Sequence, residues 1–122
     1  MANENNKRAL KYAHILHSHK PHHKWSDIVR YGWYFVKFRS WLSNHVVKFS
    51  YFKQDGSIRE AMGTTNTFFI PFDKRPKGDM SDGMGIEQYK TIPYFDLDKK
   101  EWRSFKIVNF IGYVELFPKL ER

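Results

Sequence analysis

Cationic and aromatic residues interleave in this sequence in a way suited to gripping a polyanion that carries flat rings. Lys48 stands near Tyr51, Arg59 follows a short turn, Tyr94 precedes Trp102-Arg103, and Lys106 closes the set. Ammonium and guanidinium groups neutralise phosphates, each contact adding a salt-dependent increment of affinity. Aromatic faces stack on unpaired bases for about 1–3 kcal/mol each. A second group, Lys24, Arg30, Lys37 and Arg39, is spaced through an aromatic-rich stretch between Trp25 and Trp41. The competing account of the same residues is structural: the rings form a core and the charges a solvated face.

Other chemistries find less to work with. His14, His17, His19, His22 and His23 crowd together, yet a zinc site needs three or four converging nitrogen or thiolate ligands. His19 to His23 straddle Pro21, so a polar hinge that gains charge below about pH 6.5 is the plainer reading. Asp79 and Asp82 lie among glycines but lack the regular ligand spacing and terminal glutamate of a calcium loop. Ser50, Ser57 and Ser104 sit in no nucleophile motif, and no glycine-rich phosphate loop is present. Asp96 and Asp98 fall where turn chemistry explains them. The expectation is a protein that is not an enzyme and uses neither metal nor cofactor.

Charge is distributed unevenly. Of the net +8, residues 1–45 carry +6, with eight Lys/Arg against Glu4 and Asp27, while residues 46–122 carry +2. An anionic partner should feel the N-terminal third first. The absence of cysteine rules out disulfides and thiolate sites. No stretch has the roughly 20 apolar residues needed to span a bilayer, and residues 1–20 lack the form of a secretory signal. A cytoplasmic protein without membrane contact is expected.

The elements that must position these side chains follow from periodicity. Residues 1–6 read as a frayed end. Ala9, Tyr12, Ala13 and Leu16 make one face of a helix over about 7–18. Pro21 ends it. Ser26 reads as the cap of a second helix over about 26–42, with Asp27 in its first turn. That helix carries Ile28, Val29, Trp33, Phe35, Val36, Phe38 and Leu42, leaving one polar stripe of Asp27, Arg30, Tyr34, Lys37 and Trp41. A helix so apolar must be buried on most sides, against its neighbour, the sheet or a second subunit. The period then changes to two. Val47 to Tyr51 alternates, Asp55-Gly56 makes a hairpin turn, and Ile58 to Met62 returns. Phe68 to Pro71, Tyr89 to Leu97 (interrupted by Pro93), Trp102 to Val108 and Gly112 to Phe117 read as further strands, with a flexible loop over 72–88. The predicted class is α+β: a basic two-helix segment over 1–45, then a five- to six-stranded antiparallel SH3-like or Sm-like β-barrel over 46–118.

The barrel segment resembles a known family. Val47-Lys48-Phe49-Ser50-Tyr51, Asp55-Gly56-Ser57-Ile58-Arg59-Glu60-Ala61 and Gly63-Thr64 form one half of the likeness. Tyr94-Phe95-Asp96-Leu97-Asp98 and Trp102-Arg103-Ser104-Phe105, with Ile107 and Ile111, form the other. Together they resemble the WYL_2-type Sm-like SH3 barrels related to WYL domains, of Bacteroidetes and their phages. The resemblance implies binding of nucleic acid or a small ligand through the barrel, and Arg103 matches an arginine used there. Ile92-Pro93-Tyr94 stands where the Trp-Tyr-Leu triplet would be, and Asn109 or Phe110 replaces a later arginine.

The leading expectation is thus a small bacterial or phage accessory protein that binds DNA or RNA. Two alternatives stand beside it. One is a protein-interaction or structural module, such as a phage component or an inhibitor of a host system, whose apolar helix 26–42 meets a partner or a second copy. The other is a small-nucleotide sensor built around Arg103.

Overall fold

The structure, a computed structural model, describes residues 2–76 and 89–115. Two helices, α1 (Ala2–His19) and α2 (Trp25–Asn44), precede five strands: β1 (Val47–Phe52), β2 (Ile58–Thr64), β3 (Thr91–Asp96), β4 (Glu101–Lys106) and β5 (Phe110–Glu115). The strands form one antiparallel sheet in the order β4-β3-β2-β1-β5. Among the described residues the sheet is not closed by pairing between β4 and β5, so in place of the expected closed barrel there is an open sheet of five strands. The end of the predicted barrel at 118, Asp79, Asp82 and most of the 72–88 loop lie outside the described residues.

Helix α1 begins well before Lys7, because Glu4 sits favourably in its positive first turn. The Arg8 guanidinium also donates to Asn5 there. Helix α2 does not take Ser26 as its cap. Lys24 occupies the cap position with extended backbone and no side-chain bond, and Ser26 lies inside the first turn.

The two helices meet at a point of close approach. Gly32 packs onto the backbone of Ala9, and Ala9 and Ala13 are buried beside it. The buried positions of α2 are Ile28, Gly32, Phe35, Phe38 and Leu42, a single stripe. The expectation of a helix buried on most sides is therefore corrected. Trp25, Tyr31 and Trp33 are exposed, and α1 and the sheet cover the buried stripe. Tyr34 and Trp41, assigned by spacing to a polar stripe, are half-buried instead. Tyr34 packs against Phe110 and Tyr113, and Trp41 against His45.

The buried face of the sheet receives α2 through aromatic packing. Phe38 meets Phe49 edge-on at 5.3 Å between centroids, and Phe49 meets Tyr94 likewise at 4.8 Å. Such pairs are worth about 0.5–1.5 kcal/mol beyond the area they bury. Thr64 fixes the other end. Its buried hydroxyl lies within donating distance of the Leu42 and His45 carbonyls (3.0 and 2.8 Å) and accepts from the Asn66 amide. The last turn of α2 is thereby tied to the end of β2.

Turn chemistry sets the strand ends. Gly56 takes the positive φ of 90° that the β1–β2 turn requires, and Asp55 accepts from the Ser57 amide and hydroxyl. Phe68 to Pro71 is not a strand. The Asn66 side chain accepts from the Phe68 amide and starts a 3₁₀ turn over Thr67–Phe69, and a second follows at Phe72–Lys74. Pro93 is tolerated because β3 pairs with β2 only through Phe95 and Asp96, so at Pro93 its other side has no ladder. Asn109 ends a 3₁₀ turn over Ile107–Asn109 that joins β4 to β5.

Burial pushes the Tyr12 hydroxyl up to about 12, the nearby Arg39 guanidinium only partly opposing it. The unfolded value is about 10, so the fold favours the protonated phenol. The stability this contributes is complete below about pH 10 and falls by up to about 1.4 kcal/mol per pH unit above it. The loss continues until the folded value is passed. Urea midpoints should drop between about pH 10 and 12, and less steeply in Tyr12→Phe. Equal slopes in the two proteins would contradict this account.

Candidate anion-binding cleft

Strand alternation decides which side chains reach the buried face. On β1 the buried residues are Val47, Phe49 and Tyr51, while Lys48 and Phe52 face outward. Tyr51 lies opposite Arg59 across β1–β2, and Tyr94 lies opposite Arg103 across β3–β4. Directly opposed residues share a face, so two tyrosines and two arginines converge at one mouth of the sheet. The tyrosine hydroxyls are 2.7 Å apart. Burial, and next the Tyr51 hydroxyl, push the Tyr94 phenol far above its ordinary range. The Tyr94 oxygen therefore acts as a neutral hydrogen-bonding group.

A cleft of about 620 Å³ opens above this pair. Lys53 and Arg59 enter it from the β1–β2 hairpin, and Arg103 and Lys106 from β4, with Ser104 and Asn109 offering neutral polar groups. Among the described residues Asp55 is the one acid lining it. Hydrogen bonds from the Ser57 hydroxyl and amide hold its carboxyl below the usual range, so it stays ionised.

The four cations are not equivalent. Arg103 is held by two carboxylates, Nε at 3.2 Å from Asp96 Oδ2 and Nη2 at 2.7 Å from Glu101 Oε2. Asp96 is buried, and its other oxygen accepts from the Asp98 and Lys99 amides. Turn chemistry, expected of Asp96 and Asp98, is met at the Asp96 side chain in that contact. Arg103 is thus fixed in place with its charge largely balanced. Arg59 forms no ion pair with a described residue, nor do Lys53 and Lys106, so these three bring uncompensated charge to the cleft.

Of the residues singled out from the sequence, Arg59, Arg103, Lys106 and Tyr51 come together here, with Tyr94 beneath them. Lys53 was missed, although it flanks the hairpin turn where short loops present cations. Lys48 points from the opposite face of β1. Lys24, Arg30 and Lys37 are exposed on the helical segment, outside the cleft lining. Arg39 is half-buried and donates to the Thr91 carbonyl at 3.1 Å. Tyr51 and Tyr94 are core residues and offer no open ring face. Trp102 donates its indole N–H to the Lys74 carbonyl at 2.6 Å and packs edge-on against Phe95. His14 and His17 flank the Trp25 ring at 5.1 and 5.6 Å. Among the described residues no three His, Asp or Glu side chains are placed to hold a metal. Nor is any described helix long and apolar enough to cross a membrane.

A family model described as WYL_2, Sm-like SH3 beta-barrel fold, matches residues 36–111. That span covers the second half of α2, the whole cleft and the start of β5. No curated protein and no solved structure matches the chain.

Proposed function

The chain belongs to the WYL_2 family of Sm-like SH3 β-barrels, and from that premise we propose that it is a non-enzymatic accessory protein that binds nucleic acid. The observation that carries this reading is the convergence of Lys53, Arg59, Arg103 and Lys106 on one cleft with Asp55 as the one acid lining it among the described residues. Guanidinium groups stay protonated at any physiological pH, and burial holds the Tyr94 phenol in its protonated form. Such groups hold an anion without moving a proton, which favours binding over catalysis. The exposed Lys24, Arg30 and Lys37 add a diffuse positive field that draws a polyanion toward the molecule. WYL domains in general are linked to nucleic-acid or ligand binding, which agrees with this chemistry.

Arg59→Ala is the cleanest test, because it removes charge from the cleft without breaking an ion pair to a described residue. Fluorescence anisotropy with labelled DNA and RNA should give a wild-type affinity that falls steeply between about 50 and 200 mM salt. The variant should bind about ten-fold more weakly at low salt, with a slope of log K against log salt reduced by about one. No wild-type binding at low salt to any of the strands would sink the proposal.

One further reading has a specific observation behind it. The cleft volume lies inside the range of small-ligand sites, about 300–1,000 Å³, so a mononucleotide could fill it alone. Thermal shifts with free nucleotides, abolished in Arg59→Ala, combined with salt-independent failure to bind polymers, would favour that reading.

A further inference from the structure

The two most exposed large apolar residues among those described are Phe68 and Phe72, at 81% and 83% of their full accessibility. They do not hang from a slack loop. Asn66 accepts from the Phe68 amide, and the Arg75 side chain donates to the Ile70 carbonyl at 3.0 Å. Ile70 between the rings is itself buried. Trp102 on β4 donates to the Lys74 carbonyl and ties the far end of the loop to the sheet. The backbone is pinned at three places while both rings are held out into solvent. Side chains this apolar are normally drawn inward, so rings fixed outward by their own backbone are arranged to meet something.

The neighbouring charges say what. Lys74 and Arg75 follow the rings against the single Asp73. The Arg75 guanidinium lies over the Phe72 ring, 5.4 Å from its centroid. A cation beside an open ring face suits a base attached to its phosphate. The tether adds position: Trp102 is on the same strand as Ser104 and Lys106, which line the cleft. The tether therefore anchors the end of this segment to the strand that also lines the cationic cleft.

We propose that Thr67–Arg75 is a base-stacking arm, with Phe68 and Phe72 taking unpaired bases of a strand whose backbone continues into the cleft. This rests on the nucleic-acid reading above and specifies its ligand as single-stranded. Within a duplex each base is already stacked on both faces and offers none to a phenylalanine.

The test compares anisotropy of labelled oligothymidine with that of a blunt duplex for the full chain and four variants. Phe68→Ala and Phe72→Ala should each weaken single-strand binding about ten-fold and leave duplex binding unchanged. Phe68→Tyr/Phe72→Tyr should keep the affinity, and Phe68→Leu/Phe72→Leu should lose it, because leucine is apolar without a ring face. Unchanged binding in the alanine variants overturns the arm. So does full affinity in the leucine variant, which would mean an aliphatic contact such as a protein partner's groove accepts. Both of those outcomes leave the cleft proposal standing. Absence of wild-type binding to strand and duplex alike removes the cleft and the arm together. The rings are exposed, so melting temperatures should not move, which separates lost binding from lost folding.

Discussion

Gly32→Ala is expected to destabilise the protein by about 2–3 kcal/mol, against the usual direction for glycine in a helix. In a solvent-facing helix interior the change would gain up to about 1 kcal/mol from propensity alone. Here the new Cβ would fall inside the contact distance of the Ala9 carbonyl oxygen and 3.0 Å from its carbonyl carbon. Those are backbone atoms of a neighbouring helix, so no rotamer change relieves the overlap. The helices must move apart, loosening the packing of Tyr12, Ala13 and Ile28 around the contact. Overpacking of this kind costs about 1–3 kcal/mol and more where the backbone cannot yield. Thermal unfolding followed by circular dichroism should show a midpoint roughly 10 °C lower. A midpoint equal to or above wild type would mean that the helices do not meet at Gly32.

The second large effect belongs to Asp96. One carboxylate oxygen accepts two amides of the β3–β4 turn, and the other holds Arg103. Asp96→Ala removes all three contacts at a buried position. Breaking a buried ion pair from one side costs about 3–5 kcal/mol, but Arg103 is partly exposed and keeps Glu101, so about 2–4 kcal/mol is the reasonable range. Asp96→Asn keeps an acceptor for the amides and loses the charge, and should recover roughly half of that. The pair of variants separates turn capping from ion pairing in chemical denaturation. Equal losses in both would assign the whole effect to the charge.

Much of this was legible in the residues themselves. The alternation in Val47 to Tyr51 and the Asp55-Gly56 turn fixed the first hairpin, and 3.6-residue spacing placed α2 and the end of α1 to within two residues. The start of α1 lies five residues earlier than expected, in the stretch read as frayed. The same alternation already put Tyr51 on the face of Val47 and Phe49, so its burial was readable even though its ring chemistry drew attention first. Arg39 was harder to place. It follows Phe38 and lies between Phe35 and Leu42, yet a long arginine can leave a buried face or stay on it, and only the Thr91 carbonyl decides. The strand expected at Phe68 to Pro71 failed because a short apolar run has no period of its own, and one capping asparagine redirects it. The cleft itself depends on cross-strand register. Nothing local to Arg59 or Arg103 says that they share a mouth, since the pairing that unites them involves four strands. The ion pairs that balance Arg103 are non-local for the same reason, and they shift the anion-binding role toward Arg59.

The ladder between β1 and β5 has a kinetic meaning. The β1–β2 and β3–β4 hairpins and the helix pair join neighbours in sequence, so each can form by closing a short loop. β5 instead returns from the far end of the chain to lie beside β1, pairing Glu115 with Val47. Loop-closure entropy rises with the length enclosed, and rates fall as contacts become less local. Gly63 pairs with Asp96 across a shorter separation, so the arrival of β5 is the least local strand pairing in the sheet. Phe110 and Tyr113 on that strand complete the aromatic cluster around Phe38, so the core reaches its final packing only when the last strand of the sheet has found the first.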